Sequence, residues 1–250
     1  MWHLPHIMPR KPMPSHPAAR LPTIDTPPAI PTLPPPLRSV ERAAPATDEA
    51  AAQPRFELFE HIGSNRATVE AFISQCFAES FGSRIEAFMP RLFSVRNEAG
   101  DLCGAFGLRS ASRNLFLEQY LDAPIEKVIA ARAGKRIERH VIVEVGHFSG
   151  TFPGAVRAMI GLLTARLHQE GYEWVVFTGT TGLRNAFCRL GLFPLDIQAA
   201  TSDRIPADER AAWGRYYDHA PRVLVGNVQA GYRAMRLPAP PRCCLAGEPA

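Results

Sequence analysis

Nothing in this chain constrains its fold more than residues 139–177. Arg139–Phe148 carries the unbroken apolar run Val141-Ile142-Val143, the pattern of a central strand covered on both faces. Gly154–Glu170 follows, with Val156, Met159, Ile160, Leu163 and Leu167 at helical spacing. Gly171 stops that helix, and Trp174–Phe177 is a second buried strand. A strand, a long helix and a strand in this order require a right-handed crossover joining two parallel strands.

The rest of the chain must fit around that unit. Arg55–Ile62 predicts a strand that Gly63-Ser64 ends. Ser64 or Asn65 caps a helix to about Phe81, with apolar positions at 69, 72, 73, 76 and 77. Beyond Pro90, Leu92–Arg96 and Leu102–Leu108 flank the turn Asn97–Asp101 as a β-hairpin. Pro124 opens a short helix with Asp122 or Ala123 at its cap and Gly134 at its end. Thr181–Leu190 is a helix ended by Gly191, and Val223–Val225 a late strand. The order is β-α-β-β-α-β-α-β-α-β. A hairpin ahead of a βαβ unit gives an α/β fold, a mixed central sheet with helices on both faces. This is the element order of a GNAT-like acyltransferase fold, although order alone assigns no activity.

Proline marks the boundaries. Fourteen of the 24 prolines lie in residues 1–54, and only six between Arg55 and Leu237. We expect a disordered Pro-rich arm over 1–54, a GNAT-like domain over 55–237 and a disordered tail over 238–250. Met1–Pro17 has no apolar core of a secretory signal, while Arg10, Arg20, Arg38 and Arg42 leave a targeting role for the arm open. No apolar run reaches the roughly 18–20 residues of a transmembrane segment. The net charge of +4 is spread along the chain without a basic block, so no nucleic-acid partner is expected. Five cysteines, at 76, 103, 188, 243 and 244, show neither pairing nor zinc spacing. They fit a reducing compartment and a cytoplasmic location. Cys76 belongs to the apolar stripe of its helix. The histidines show no metal spacing, and no metal is expected.

Four segments could carry chemistry. Glu144 sits in the apolar strand, where a carboxylate is costly unless paired or hydrogen-bonded. It is either a general base or amine anchor, with its pKa raised by burial, or a structural partner of Arg139 or Arg184. Gly146 marks a bulge or a close backbone approach. Ser149 and Gly150 lead through Thr151, Phe152 and Pro153 into the long helix, whose N-terminus can receive an anion; a plain helix entry is the alternative. Glu118, Tyr120 and Asp122 share a face if their segment is extended. Tyr120 is then a catalytic candidate and the two carboxylates grip an amine substrate; otherwise Tyr120 is a core residue and Asp122 a cap. Thr178, Asn185 and Arg189 flank the end of the second buried strand, a place suited either to a ligand crevice or to a plain turn.

Five strings in order resemble the thermostable hemolysin family: FLEQYLDAPIE at 116–126, IVEVGHFSG at 142–150, GYEWVVFTGT at 171–180, LRNAFCRLGL at 183–192 and WGRYYDHAPRVLVGNVQAGY at 213–232. The resemblance spans roughly 55–235. One departure is His147, where that pattern leads us to expect asparagine; His147 is a candidate substrate contact. The family looks similar to acyl-homoserine-lactone synthases, which have the GNAT fold, take acyl groups from acyl carrier protein and lack the usual coenzyme A loop. The Arg-x-x-Gly-x-Gly loop of coenzyme-A-binding relatives is absent here too. The resemblance implies an acyltransferase with no tightly bound cofactor. Acyl-ACP or acyl-CoA would be co-substrate, acyl carrier protein a possible partner and a small molecule the acceptor. Gly146, Ser149, Gly150, Thr178, Asn185 and Arg189 would then contact the acyl carrier arm. A membrane-active lytic protein and a non-catalytic binding module are the alternatives.

Overall fold

The structure, a computed structural model, describes residues 55–236. The expected arm over 1–54 and tail over 238–250 lie outside the described residues.

Seven strands make one mixed sheet: β1 (Phe56–His61), β2 (Arg91–Asn97), β3 (Leu102–Ser110), β4 (Ile142–Gly150), β5 (Trp174–Gly179), β6 (Leu195–Ala199) and β7 (Arg222–Asn227), in the spatial order β1-β2-β3-β4-β5-β7-β6. The β4/β5 pair is parallel and every other neighbour is antiparallel. Helices α1 (Ala67–Phe81), α2 (Ile125–Ala133), α3 (Pro153–Gln169), α4 (Thr181–Arg189) and α5 (Val228–Arg236) cover it. Strand alternation sorts them. Ile142 packs with Ile125 and Ile129 of α2, while Val143 and Val145 pack with Met159, Leu163 and Leu167 of α3. Helix α1 shares the α2 face through Met89, Leu92 and Ala105. The α/β fold with helices on both faces is therefore present, and β4-α3-β5 is the crossover. No helix among the described residues is long and apolar enough to cross a membrane.

Several local expectations need correction. The central strand begins at Ile142, not Arg139. Residues Arg139–Val141 form a 3-10 turn because the Arg139 side chain folds back onto the carbonyls of Ala111 and Arg113 and onto Glu118 and Glu126. The same strand runs on to Gly150, so Ser149 and Gly150 are sheet residues rather than a loop. Helix α1 starts at Ala67 behind a 3-10 turn, Gly63–Arg66, with no side-chain cap. Helix α2 likewise lacks a cap from Asp122: Pro124 holds the N-cap position, and the free Ile125 N–H donates to the Glu118 carboxylate at 3.0 Å. Two elements are additional. Strand β6 is an edge strand: LDIQA alternates apolar and polar residues, but its burial does not follow that alternation. Helix α5 contains Gly231, which meets Thr164 of α3 closely: a Cβ there would stand 3.4 Å from the threonine methyl.

Candidate active site

Strand β4 pairs with β5 only from Ile142↔Trp174 to Val145↔Phe177. Past that point β5 stays with β7 through Thr178 and Gly179, β4 stays with β3, and the two strands part. Across the β3/β4 pair, Gly107 faces Gly146 and Ala105 faces Ser149. One residue, Phe106, thus opposes two, His147 and Phe148: a β-bulge, which bends its strand and shifts side chains to the other face. His147 takes φ 55°, the left-handed region that asparagine enters more readily than most side chains. The bulge is therefore at His147, not Gly146. Gly146 instead makes room for Met89: a Cβ there would lie 2.4 Å from the Met89 methyl, which would have to swing aside.

A cavity of about 1540 Å³ occupies the parting and reaches both faces of the sheet. On the α1 side its wall includes Glu144, Arg109, Phe81, Trp213 and Tyr216. On the α3 side the wall is mainly apolar, with Val156, Ile160, Leu163, Phe187 and Val228, and includes Arg157, Thr164 and Arg189. Cys76, expected in the core, is half-buried and lines the cavity; burial pushes its thiol pKa up.

Glu144 is 3% exposed. Its Oε2 accepts the Phe116 N–H and its Oε1 the Leu117 N–H, each at 2.9 Å. Neither arginine considered from the sequence is its partner. Arg139 is engaged elsewhere, and Arg184 donates to the carbonyls of Gly179 and Ala220. No cation touches this carboxylate among the described residues. Burial drives its pKa up; the two N–H bonds and the charge of Arg109 oppose that, Glu118 adds to it, and the net shift is upward. Each oxygen keeps a lone pair for a further donor.

The segment before α2 is a 3-10 turn, Phe116–Tyr120, so Glu118, Tyr120 and Asp122 do not share an extended face. None of the three lines the cavity. Glu118 forms a bidentate pair with Arg139 at 2.7 and 2.9 Å and accepts the N–H groups of Leu115 and Ile125. Burial raises its pKa, but Arg139 and the two N–H groups outweigh that and hold it at about 2. Tyr120 is 1% exposed. Its hydroxyl meets that of Tyr217 at 2.7 Å, and burial followed by that contact pushes its pKa far up. Asp122 is exposed and pairs with Arg204 at 2.6 Å.

Gly146, His147, Ser149, Gly150, Thr178 and Arg189 all line the cavity; Asn185 is exposed on α4 and does not. The Ser149 hydroxyl donates to the His147 carbonyl at 3.1 Å, and the Tyr216 hydroxyl donates to Thr178 at 3.3 Å. His147 Nδ1 is buried without a partner. Burial first, and the Arg109 charge second, bring its pKa down to about 4, so the ring is neutral at pH 7. The helix entry offers less to an anion than its residues suggest: the Thr151 N–H and hydroxyl both go to the Cys103 carbonyl, and Pro153 has no N–H.

Sequence reasoning did not single out Arg109, Trp213 or Tyr216. Arg109 had a signal, since the hairpin's return strand, continued by one residue, puts it opposite Glu144. Trp213 and Tyr216 lie in the string WGRYYDHAPR, but nothing local says that they fold back onto α1.

The model of the family described as thermostable hemolysin matches residues 60–232. No curated protein matches the chain. Among solved structures, the AHL synthase LasI aligns with a TM-score of 0.50 and 11% identity over 73% of this chain and 94% of its own. TofI aligns with a TM-score of 0.49 and 16% identity over 73% and 97%.

Proposed function

The chain belongs to the thermostable hemolysin family, and on that premise we propose that it is an acyltransferase. It moves an acyl group from a thioester, carried by acyl carrier protein or coenzyme A, to a small amine or similar acceptor. One observation carries this reading: a single cavity crosses the sheet where β4 and β5 part, with a buried, cation-free carboxylate in its wall on one side and an apolar arm on the other. Thioester chemistry asks for that combination. The apolar arm takes the acyl chain. The strand edge over Gly146–Gly150, unpaired by β5, offers backbone groups to the amides of a carrier arm.

Glu144 is the group that receives a proton from the attacking acceptor. Its raised pKa brings it toward the range in which a carboxylate is an effective base, and the Phe116 and Leu117 N–H groups fix its orientation. Neutral His147, whose buried Nδ1 has no partner among the described residues, can accept a substrate N–H or O–H once the wall around it shifts. LasI, which shares the fold, is an AHL synthase; the reading brings that class of chemistry to this chain, working in the cytoplasm.

Purified protein tests it. Free thiol released from an acyl-CoA or acyl-ACP in the presence of an amine is the expected result. Dye release from pure lipid vesicles without thiol release would make the protein directly lytic, and the absence of both would leave a binding module.

A further inference from the structure

Arg109 is the half-buried cation that the fold leaves unmatched. The other half-buried arginines among the described residues are all held. Arg91 and Arg166 meet Glu60, Arg139 meets Glu118 and Arg222 meets Asp196, while Arg66, Arg96 and Arg184 donate to backbone carbonyls. Arg109 makes neither hydrogen bond nor ion pair with any described residue, yet it lines the cavity. Its register partner across β3/β4 is Glu144, which places both side chains on one face. Opposite charges so placed normally pair. Here both Glu144 oxygens turn to the backbone of Phe116 and Leu117, and the guanidinium keeps its five N–H donors for something else. Its planar fork matches a carboxylate in two parallel bonds.

We propose that Arg109 is the subsite for a carboxylate on the acceptor, so that the acceptor is an amino acid or a similar amine bearing a carboxylate. This rests on the acyltransferase reading and names its second substrate class. With the carboxylate on Arg109, the amine of the same molecule lies toward Glu144 on the neighbouring strand. The neutral amine nitrogen attacks the thioester carbonyl carbon, the C–N bond forms and the C–S bond breaks. The proton lost by nitrogen passes to Glu144 and on to the departing thiolate, leaving an N-acyl amino acid and a free thiol. Trp213 and Tyr216, in the same part of the wall, face the acceptor's side chain.

The test measures thiol release from lauroyl-CoA and lauroyl-ACP in parallel. Acceptors are the twenty common α-amino acids, each beside its carboxamide, and hydroxylamine as a small nucleophile without a carboxylate, and thiol release is counted only above the rate of the same mixture without protein. At least one amino acid should exceed its carboxamide about tenfold or more in kcat/KM, as loss of a charge-assisted bond implies. In Arg109→Gln that ratio should fall to near unity, and in Arg109→Lys, which keeps the charge but not the fork, to a value between. The melting temperature of each variant verifies that it is folded. If hydroxylamine takes the acyl group and no amino acid outperforms its carboxamide, the carboxylate subsite is overturned and the acyltransferase stands. If no acceptor, hydroxylamine included, releases thiol, the acyltransferase reading falls and the subsite with it.

Discussion

The segment from Leu115 to Ile125 is pinned by two carboxylates in opposite circumstances. Glu118 accepts the N–H groups at its two ends, Leu115 and Ile125. Glu144 reaches across from β4 and accepts the two between, Phe116 and Leu117. The backbone bonds are equivalent in number, but Glu118 is half-buried and Glu144 is 3% exposed. The second difference is Arg139, which clamps Glu118 and stays away from Glu144. With the cation, the carboxyl is held at about 2. Without it, and more deeply buried, the other carboxyl is pushed above its ordinary value. The same donor-rich turn thus holds two carboxylates whose pKa values are shifted in opposite directions.

Four experiments press on that contrast. The largest effect belongs to Glu144→Gln, which should cut thiol release by about 10²-fold or more. The amide must point its NH2 at the Phe116 or the Leu117 N–H, so stability should also fall, by about 1–3 kcal/mol. A folded variant with wild-type turnover would erase the functional half of the comparison. Arg139→Met comes next. It strands Glu118 and Glu126 together and should lower unfolding stability by about 1–3 kcal/mol, between the values for exposed and buried pairs. Turnover per folded molecule should drop far less than in Glu144→Gln; an equal drop would mean that both carboxylates serve the reaction.

The third effect lies in the pH dependence of stability, where the two signs oppose. Glu118, with its depressed pKa, contributes stability present above the unfolded value of ~4.3 and lost as pH falls through about 2. Glu118→Gln should therefore lose most against wild type above pH ~4.3 and converge with it toward pH ~2. Glu144, with its raised pKa, contributes stability present below ~4.3 and lost as pH rises through its folded value. Glu144→Gln should accordingly improve relative to wild type as pH rises. Parallel slopes for the two variants would contradict the assignment. The smallest effect is expected from Phe116→Pro. Proline suits the first position of the 3-10 turn, and Leu115 already has the extended backbone that must precede it (φ −90°, ψ 146°). One donor to Glu144 disappears, so the acid limb of the pH–rate profile should move to higher pH.

Much of the fold was legible. The β4-α3-β5 crossover follows from Val141–Val143 and the α3 stripe, because continuous apolar strands and helical periodicity are local signals. Strand β6 was missed although LDIQA alternates apolar and polar residues, because five residues just after Pro194 make a short signal. Glu144 stood out because a charge inside an apolar run must be compensated. Its actual partners could not be read, because backbone N–H groups of a turn 27 residues away leave no mark on side-chain identity. The same limit explains Glu118: spacing alone suggested an extended amine grip, whereas a 3-10 turn and a long-range arginine decide its role. Asparagine, the residue the family resemblance suggested at 147, now has a backbone meaning, since the bulge needs a residue that accepts positive φ.

The seam between β3 and β4 holds two cross-strand glycine pairs, Gly104 with Gly150 and Gly107 with Gly146. Each pair seats a methionine from a different side of the sheet: Met159 against the first, Met89 against the second. Mechanically this places two unbranched thioethers against a seam whose residues Gly146 and Gly150 line the cavity. A thioether side chain reorients about three unbranched bonds, whereas leucine or isoleucine there would lock the strands. Met89, which lines the cavity, can therefore shift its thioether for occupants of different girth without disturbing the hydrogen-bonded ladder, while Met159 fills the other face of the seam.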